Sequence, residues 1–195
     1  ECLVSGATCL ARQRALDMIA ASPCTPRRPP LEHPSPPLLT PEHLAMMERG
    51  VSAIVGSCSR ALVPSVMRAV GSRVADDGRL ITVYMCRSQS AQLLKDVARS
   101  ARLAAVFSQP STHRTVQLKT RTARLREATE DDEPTLQHYL QGMERELTSI
   151  GFAAVYARAM LAYRLDDVVA IEFVPELAFD QTPGPKAGQP ITGIT

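Results

Sequence analysis

The sequence predicts a mainly β fold with flanking helices, a small antiparallel barrel with the helices packed outside it. Three observations carry this expectation. The order of runs is strand, strand, strand, helix, strand, strand, helices, strand, and strands joined by hairpins exclude a doubly wound parallel sheet. The run Thr115–Leu125 alternates Val116, Leu118, Thr120 and Thr122 with Gln117, Lys119 and Arg121, the pattern of an antiparallel strand with one wet face. With 45% apolar residues over 195 positions, the chain can bury a single core without disulfides or a metal.

Between Pro23 and Pro37 seven of fifteen residues are proline, which removes backbone donors and forces extended geometry. Residues 1–39 therefore read as an extension with a disordered Pro-rich connector, residues 40–182 as the folded domain, and 183–195 as a surface tail. Order begins at Thr40, a good N-cap before Pro41, and Gly50 sits where a helix over 41–49 would end. Strands follow over Val51–Ser57 and Pro64–Val74, and the turn Asp76-Asp77-Gly78 leads into a strand over Leu80–Met85, a hairpin signature.

From Ser90, Leu93, Leu94, Val97, Ala98 and Ala101 recur at helical spacing, with Ser88 or Ser90 available as a cap. The strand Leu103–Ser108 comes next, then the long Thr115–Leu125 run. Acidic residues 130–133 and Pro134 open an amphipathic helix carrying Leu136, Tyr139, Leu140, Met143, Leu147 and Ile150 on one stripe and closing at Gly151. A second helix over Ala153–Tyr163 and a last strand over Val168–Val174 complete the domain.

Net charge is +2, aromatic residues make up 4% and tryptophan is absent, so no nucleic-acid footprint stands out. The five cysteines, Cys2, Cys9, Cys24, Cys58 and Cys86, form no C-x-x-C pair, and they read as reduced thiols of a cytoplasmic protein. No apolar run long enough for a membrane span or an export signal is visible. P-loop, G-x-G-x-x-G, H-E-x-x-H and G-x-S-x-G signatures are missing, and His33, His43, His113 and His138 are too dispersed to imply a metal site.

Charge is segregated instead. Arg87 to Arg126 holds nine Lys or Arg against one acid, Asp96, whereas Glu127 to Glu146 holds seven acids and one Arg. Two opposed solvated surfaces would explain this, and so would an anion site fed by the basic strand. Ser108-Gln109-Pro110-Ser111-Thr112-His113-Arg114 packs hydroxyls, an amide, an imidazole and a guanidinium around a strand end. Such a turn either satisfies itself or presents donors to a phosphate or a flavin edge.

The stretch from Thr40 to Thr182 resembles the pyridoxamine 5'-phosphate oxidase-like FMN-binding split-barrel family. The resemblance is carried by V-P-S-V-M-R-A-V-G-S-R at 63–73, D-D-G-R-L-I-T-V-Y at 76–84, F-S-Q-P-S-T-H-R-T-V-Q-L-K at 107–119 and F-D-Q-T-P-G-P at 179–185. It implies a six-stranded antiparallel split β-barrel and a homodimer with FMN at the interface. It further implies an FMN-dependent oxidoreductase acting on a small organic substrate or reduced nicotinamide.

Arg68 and Arg73 take the places of the family's phosphate-gripping arginine and lysine. Arg87 and Ser88 stand in for a Ser-Arg-Lys run that is Ser90-Ala91-Gln92 here. Gln109, Thr112, His113 and Arg114 would contact the ring or ribityl chain. The family's substrate-binding C-terminal arginine has no counterpart beyond Lys186, and no catalytic residue can be assigned. A non-catalytic flavin-binding or stress-related protein and a haem-binding barrel are the alternative readings.

Overall fold

The structure is a computed structural model that describes residues 38–75 and 78–191. The Pro-rich connector through Pro37, Cys2, Cys9, Cys24, and the turn residues Asp76 and Asp77 lie outside the described residues. Nine strands form two antiparallel sheets, one of five strands in the order β2-β1-β5-β6-β9 and one of four in the order β3-β4-β8-β7. The architecture is thus mainly β with flanking helices. Among the described residues no strand pairing closes the two sheets into one barrel, and the strand count is nine where six was expected.

Helix α1, Pro41–Glu48, starts as the sequence predicts. The Thr40 hydroxyl accepts from His43 N at 3.4 Å, and Gly50 follows the helix at φ +79°. Strand β1 is Ser52–Cys58. The expected strand Pro64–Val74 divides into β2, Pro64–Arg68, and β3, Gly71–Val74, which join different sheets. The division falls between two hydrogen bonds: Ala69 N donates to Ala53 O in the five-stranded sheet, and Val70 N donates to Tyr84 O in the four-stranded one. Strand β4, Ile81–Cys86, pairs with β3 as the hairpin expectation requires.

Helix α2, Ala91–Ser100, buries Leu93, Leu94 and Val97, but its start has no side-chain cap. Ser88 is instead bonded to Asp167, and the buried Ser90 hydroxyl lacks a partner among the described residues. After β5, Leu103–Ser108, the Thr115–Leu125 run also divides, into β6, Thr115–Thr120, and β7, Arg124–Glu127. The chain again crosses from one sheet to the other, because Ala123 N turns away to Ala101 O.

A single turn of 3-10 helix, Glu130–Asp132, leads into α3, Glu133–Ser149, which buries Leu136, Tyr139 and Met143 from the predicted stripe, while Ile150 beyond its end is exposed. Its Gly142 lets the end of α1 approach closely, since a Cβ there would lie 1.9 Å from Arg49 O. Helix α4, Ala154–Met160, is shorter than expected. Strand β8, Val168–Phe173, matches its prediction but is not the last strand, because β9, Leu177–Asp180, follows it and pairs with β6.

The core lies between the sheets. Ala53, Val55, Ala105, Phe107, Val116, Leu118 and Ala178 project into it from the five-stranded sheet, and Ile81, Val83, Met85, Val169, Ile171 and Phe173 from the four-stranded one. No helix among the described residues is long and apolar enough to cross a membrane.

Candidate functional site

Strand register defines the surface opposite that core. Residues paired across antiparallel strands point to the same side of a sheet, and alternate residues point to opposite sides. Ile54 is paired with both Arg68 and Val106, Ser52 with Ser108, Ser108 with Thr115, and Gln117 with Phe179. These side chains therefore share the outer face of the five-stranded sheet. Among the described residues no helix covers them: Ile54, Val106 and Phe179 are only half-buried, and Val66 and Leu177 are exposed.

One end of this face is polar. Arg68 Nη1 donates to Ser52 Oγ at 2.6 Å, and the Ser108 and Thr115 hydroxyls are 2.8 Å apart on the adjoining strands. Gln181 Nε2 approaches Gln117 Oε1 at 3.4 Å beside them. The result is a lane of one guanidinium, three hydroxyls and the Gln117 amide crossing four strands, with Gln181 beside it. Arg68 has no carboxylate partner among the described residues, so the rest of its five-donor fork is uncommitted. Behind the lane, Tyr139 fixes the position of β1, its phenol oxygen accepting from Ala53 N at 3.0 Å. Burial pushes that phenol up to about 12.

The β5–β6 turn stands at the same end. Gln109 is buried; its Nε2 donates to Glu146 Oε1 at 2.8 Å and its Oε1 accepts from the Thr112 hydroxyl at 3.0 Å. Ser111 Oγ donates to the other Glu146 oxygen at 2.6 Å. Burial raises the Glu146 pKa, but the hydrogen bonds from Ser111 and Gln109 together outweigh it and hold the carboxyl below its ordinary range. Gln109 thus spends its side chain on Glu146 of α3 and on Thr112. His113 is exposed in the left-handed region at φ +59°, and Arg114 pairs with Glu42 at 2.9 Å across the surface.

The other residues singled out from the sequence lie elsewhere. Arg73, on β3, lines an open groove with Glu48, Thr135 and His138 beside the first half of α3, and is without a carboxylate partner among the described residues. Arg87 is paired with Glu127, and both Ser88 donors go to Asp167, the hydroxyl at 2.5 Å and the backbone N at 2.9 Å. A single chain therefore places Arg68 and the Gln109–Arg114 turn at one end of the five-stranded sheet, with Arg73, Arg87 and Ser88 on other surfaces. Among the described residues no group of three His, Cys, Asp or Glu converges on a possible metal position.

Two features escaped the sequence reading. Ser52, Thr115 and Gln117 belong to the lane, a grouping that only the strand register discloses. At the far end of the same face is a cavity of about 650 Å³ between β1, β5, β6 and the start of β9. The basic bias of Arg87–Arg126 was its one trace in the sequence.

No family model and no curated protein matches the sequence. Similar solved structures include a pyridoxamine 5'-phosphate oxidase-related, FMN binding protein from Nostoc punctiforme, at 12% identity and a TM-score of 0.43, covering 76% of this chain and 87% of that one. Another is HupZ of Group A Streptococcus, at 12% identity and 0.47, covering 77% and 99%. A third is a protein related to general stress protein 26, of the pyridoxinephosphate oxidase family, from Clostridium acetobutylicum, at 13% identity and 0.41, covering 70% and 83%.

Proposed function

We propose that this protein binds FMN at the Arg68 end of the outer face of the five-stranded sheet, and that a second copy of the chain covers that end in a homodimer. The observation that carries the reading is Arg68: a half-buried guanidinium at the polar end of this face, beside aligned hydroxyls and without a carboxylate partner among the described residues. A charged donor placed so, with the neighbouring Ser52, Ser108 and Thr115, fits a phosphate and the hydroxyls of a ribityl chain. The apolar strip of Ile54, Val66 and Val106 suits a flat ring and the partner surface that would shelter it.

One further cation at this end is already paired. Arg114–Glu42 is a solvent-exposed ion pair, worth about 0–1 kcal/mol, so exchanging the carboxylate for a phosphate costs little. Arg73, Arg87 and Ser88 stand on other surfaces of the chain and take no part in this site. When bound, the flavin supplies hydride or electron transfer to a small organic substrate. The chain's own residues hold the phosphate, order the ring through His113, Arg114 and Gln117, and exclude water through the apolar strip.

The test is the visible spectrum and the mass in solution of the full chain incubated separately with FMN and with haem. The reading expects a flavin spectrum at one FMN per chain, a particle of two chains, and loss of both with Val66→Asp. A haem spectrum without flavin uptake contradicts it in favour of a haem protein. Flavin uptake by a stable monomer contradicts the two-chain site, and bound flavin that no reductant turns over contradicts the oxidoreductase role.

A further inference from the structure

We infer that the cavity at the far end of the five-stranded sheet is a second ligand site, built for an amphiphilic organic anion: an apolar body with one carboxylate or phosphate. Its floor is the outer face itself, where Gly56 and Ala104 leave room above the strands and Leu177, 53% exposed, forms a wall. About 650 Å³ is within the range of cavities that hold small organic ligands, and the lining is mostly apolar with a few polar groups at the rim.

The rim is cationic. Arg102, Lys119 and Arg121 border the cavity. The one acid there, Glu176, is consumed: its Oε2 pairs with Arg121 Nε at 2.9 Å and its Oε1 accepts from Arg121 N at 2.7 Å. Arg102 and Lys119 have no carboxylate partner among the described residues, and the Lys119 ammonium stands over the Phe179 ring, 4.7 Å from its centroid. An adjoining cleft shares Cys58 and Arg102 with the cavity and adds Arg60 and Arg99. The acid of that cleft, Asp96, is buried and tied to Ser65 at 2.8 Å and Gln92 at 2.9 Å.

Five cations thus surround this end of the sheet, against two carboxylates that are both engaged. Such an excess beside a low-dielectric wall attracts anions and favours one whose body can leave water. The site lies at the opposite end of the face from Arg68, with its own cations, so it neither depends on FMN binding nor duplicates it.

The experiment is titration of the full chain with 8-anilinonaphthalene-1-sulfonate, read by fluorescence, followed by displacement with decanoate and with decyl phosphate. The proposal expects saturation at one probe per chain and displacement by at least one of the two anions. The double variant Arg102→Ala/Lys119→Ala should weaken binding about tenfold or more, the scale of one lost charge-assisted contact.

Gly56→Phe provides a check independent of charge. A Cβ at Gly56 meets only ordinary contacts, at 3.7 Å, so the ring can fill the cavity without breaking the strand. This variant should abolish probe binding while its cooperative unfolding persists. Arg68→Ala should leave probe binding intact. Unsaturable binding, unchanged affinity in both cavity variants, or equal displacement by decanol, which has no charge, overturns the proposal.

Discussion

Strand β4 in the four-stranded sheet is buried along its whole length, because the core takes Ile81, Val83 and Met85 while Leu136 and the turn before α3 close over Tyr84. The outer face of the five-stranded sheet has no such cover among the described residues. Polar groups occur on both, yet they are treated differently. On the covered sheet Asp132 accepts from the Tyr84 hydroxyl at 2.8 Å and from Arg126 at 2.6 and 2.8 Å, and Arg126 reaches Glu172 as well at 2.7 Å. On the open sheet Arg68, Arg102 and Lys119 are left without counter-charges among the described residues. Apart from Arg73 on β3, charge around Tyr84 on the four-stranded sheet is tied up within the chain, whereas the open face keeps charge that the proposed ligands would meet.

The largest effect should come from the tied network. Asp132→Ala leaves the Tyr84 hydroxyl without its acceptor and Arg126 with Glu172 as its carboxylate partner, and should cost about 3 kcal/mol in urea unfolding, the low end of the range for removing one partner of a buried pair. A loss below 1 kcal/mol would mean that this region is no better closed than the open sheet. The same residue sets an acid dependence. Hydrogen bonds from Arg126 chiefly, against burial, hold its carboxyl well below the usual carboxylate range. Its folded-state pKa is depressed, so its stabilisation is complete above the ordinary aspartate range and fades as pH falls toward the folded value. Urea midpoints at neutral and acid pH should converge between the native chain and Asp132→Ala.

Gly142→Ala comes next, with an expected loss of about 1–3 kcal/mol from overpacking, since the new methyl would meet the Arg49 backbone and not a flexible side-chain tip. Thermal unfolding that is unchanged would show that α1 can move off α3. At the small end, Arg87→Ala should change FMN affinity by less than about 1 kcal/mol, because the side chain is exposed and already paired with Glu127. A larger loss, read by flavin fluorescence, would place the phosphate on the four-stranded sheet instead.

Much of this contrast was legible in the sequence, and the reasons for the gaps are specific. The stripe of α3 and the β4 hairpin declare themselves through periodicity and a glycine turn. The crossings at Ala69–Val70 and at Arg121–Ala123 do not, because strand-like composition continues through both and only hydrogen bonding shows the change of sheet. Strand β9 is four residues between Pro175 and a Pro- and Gly-rich segment, too short for an alternation signal, although Ala178 faces the core and Phe179 the outside. Within the candidate site, Arg68 was found by resemblance to a family, but its lane of hydroxyls was not. Ser52 lies far in sequence from Ser108 and Thr115, and which side of a strand stays uncovered is decided by what packs against the sheet.

The most direct test of the claim that the open face is the flavin surface is a fluorescence titration of FMN with the full chain and with Arg68→Ala, at fixed ionic strength. The claim predicts saturation at one FMN per chain and a loss of about 1–3 kcal/mol in the variant, the scale of a charge-assisted hydrogen bond. Equal affinity in the two proteins, or no saturable binding in the native chain, would contradict it.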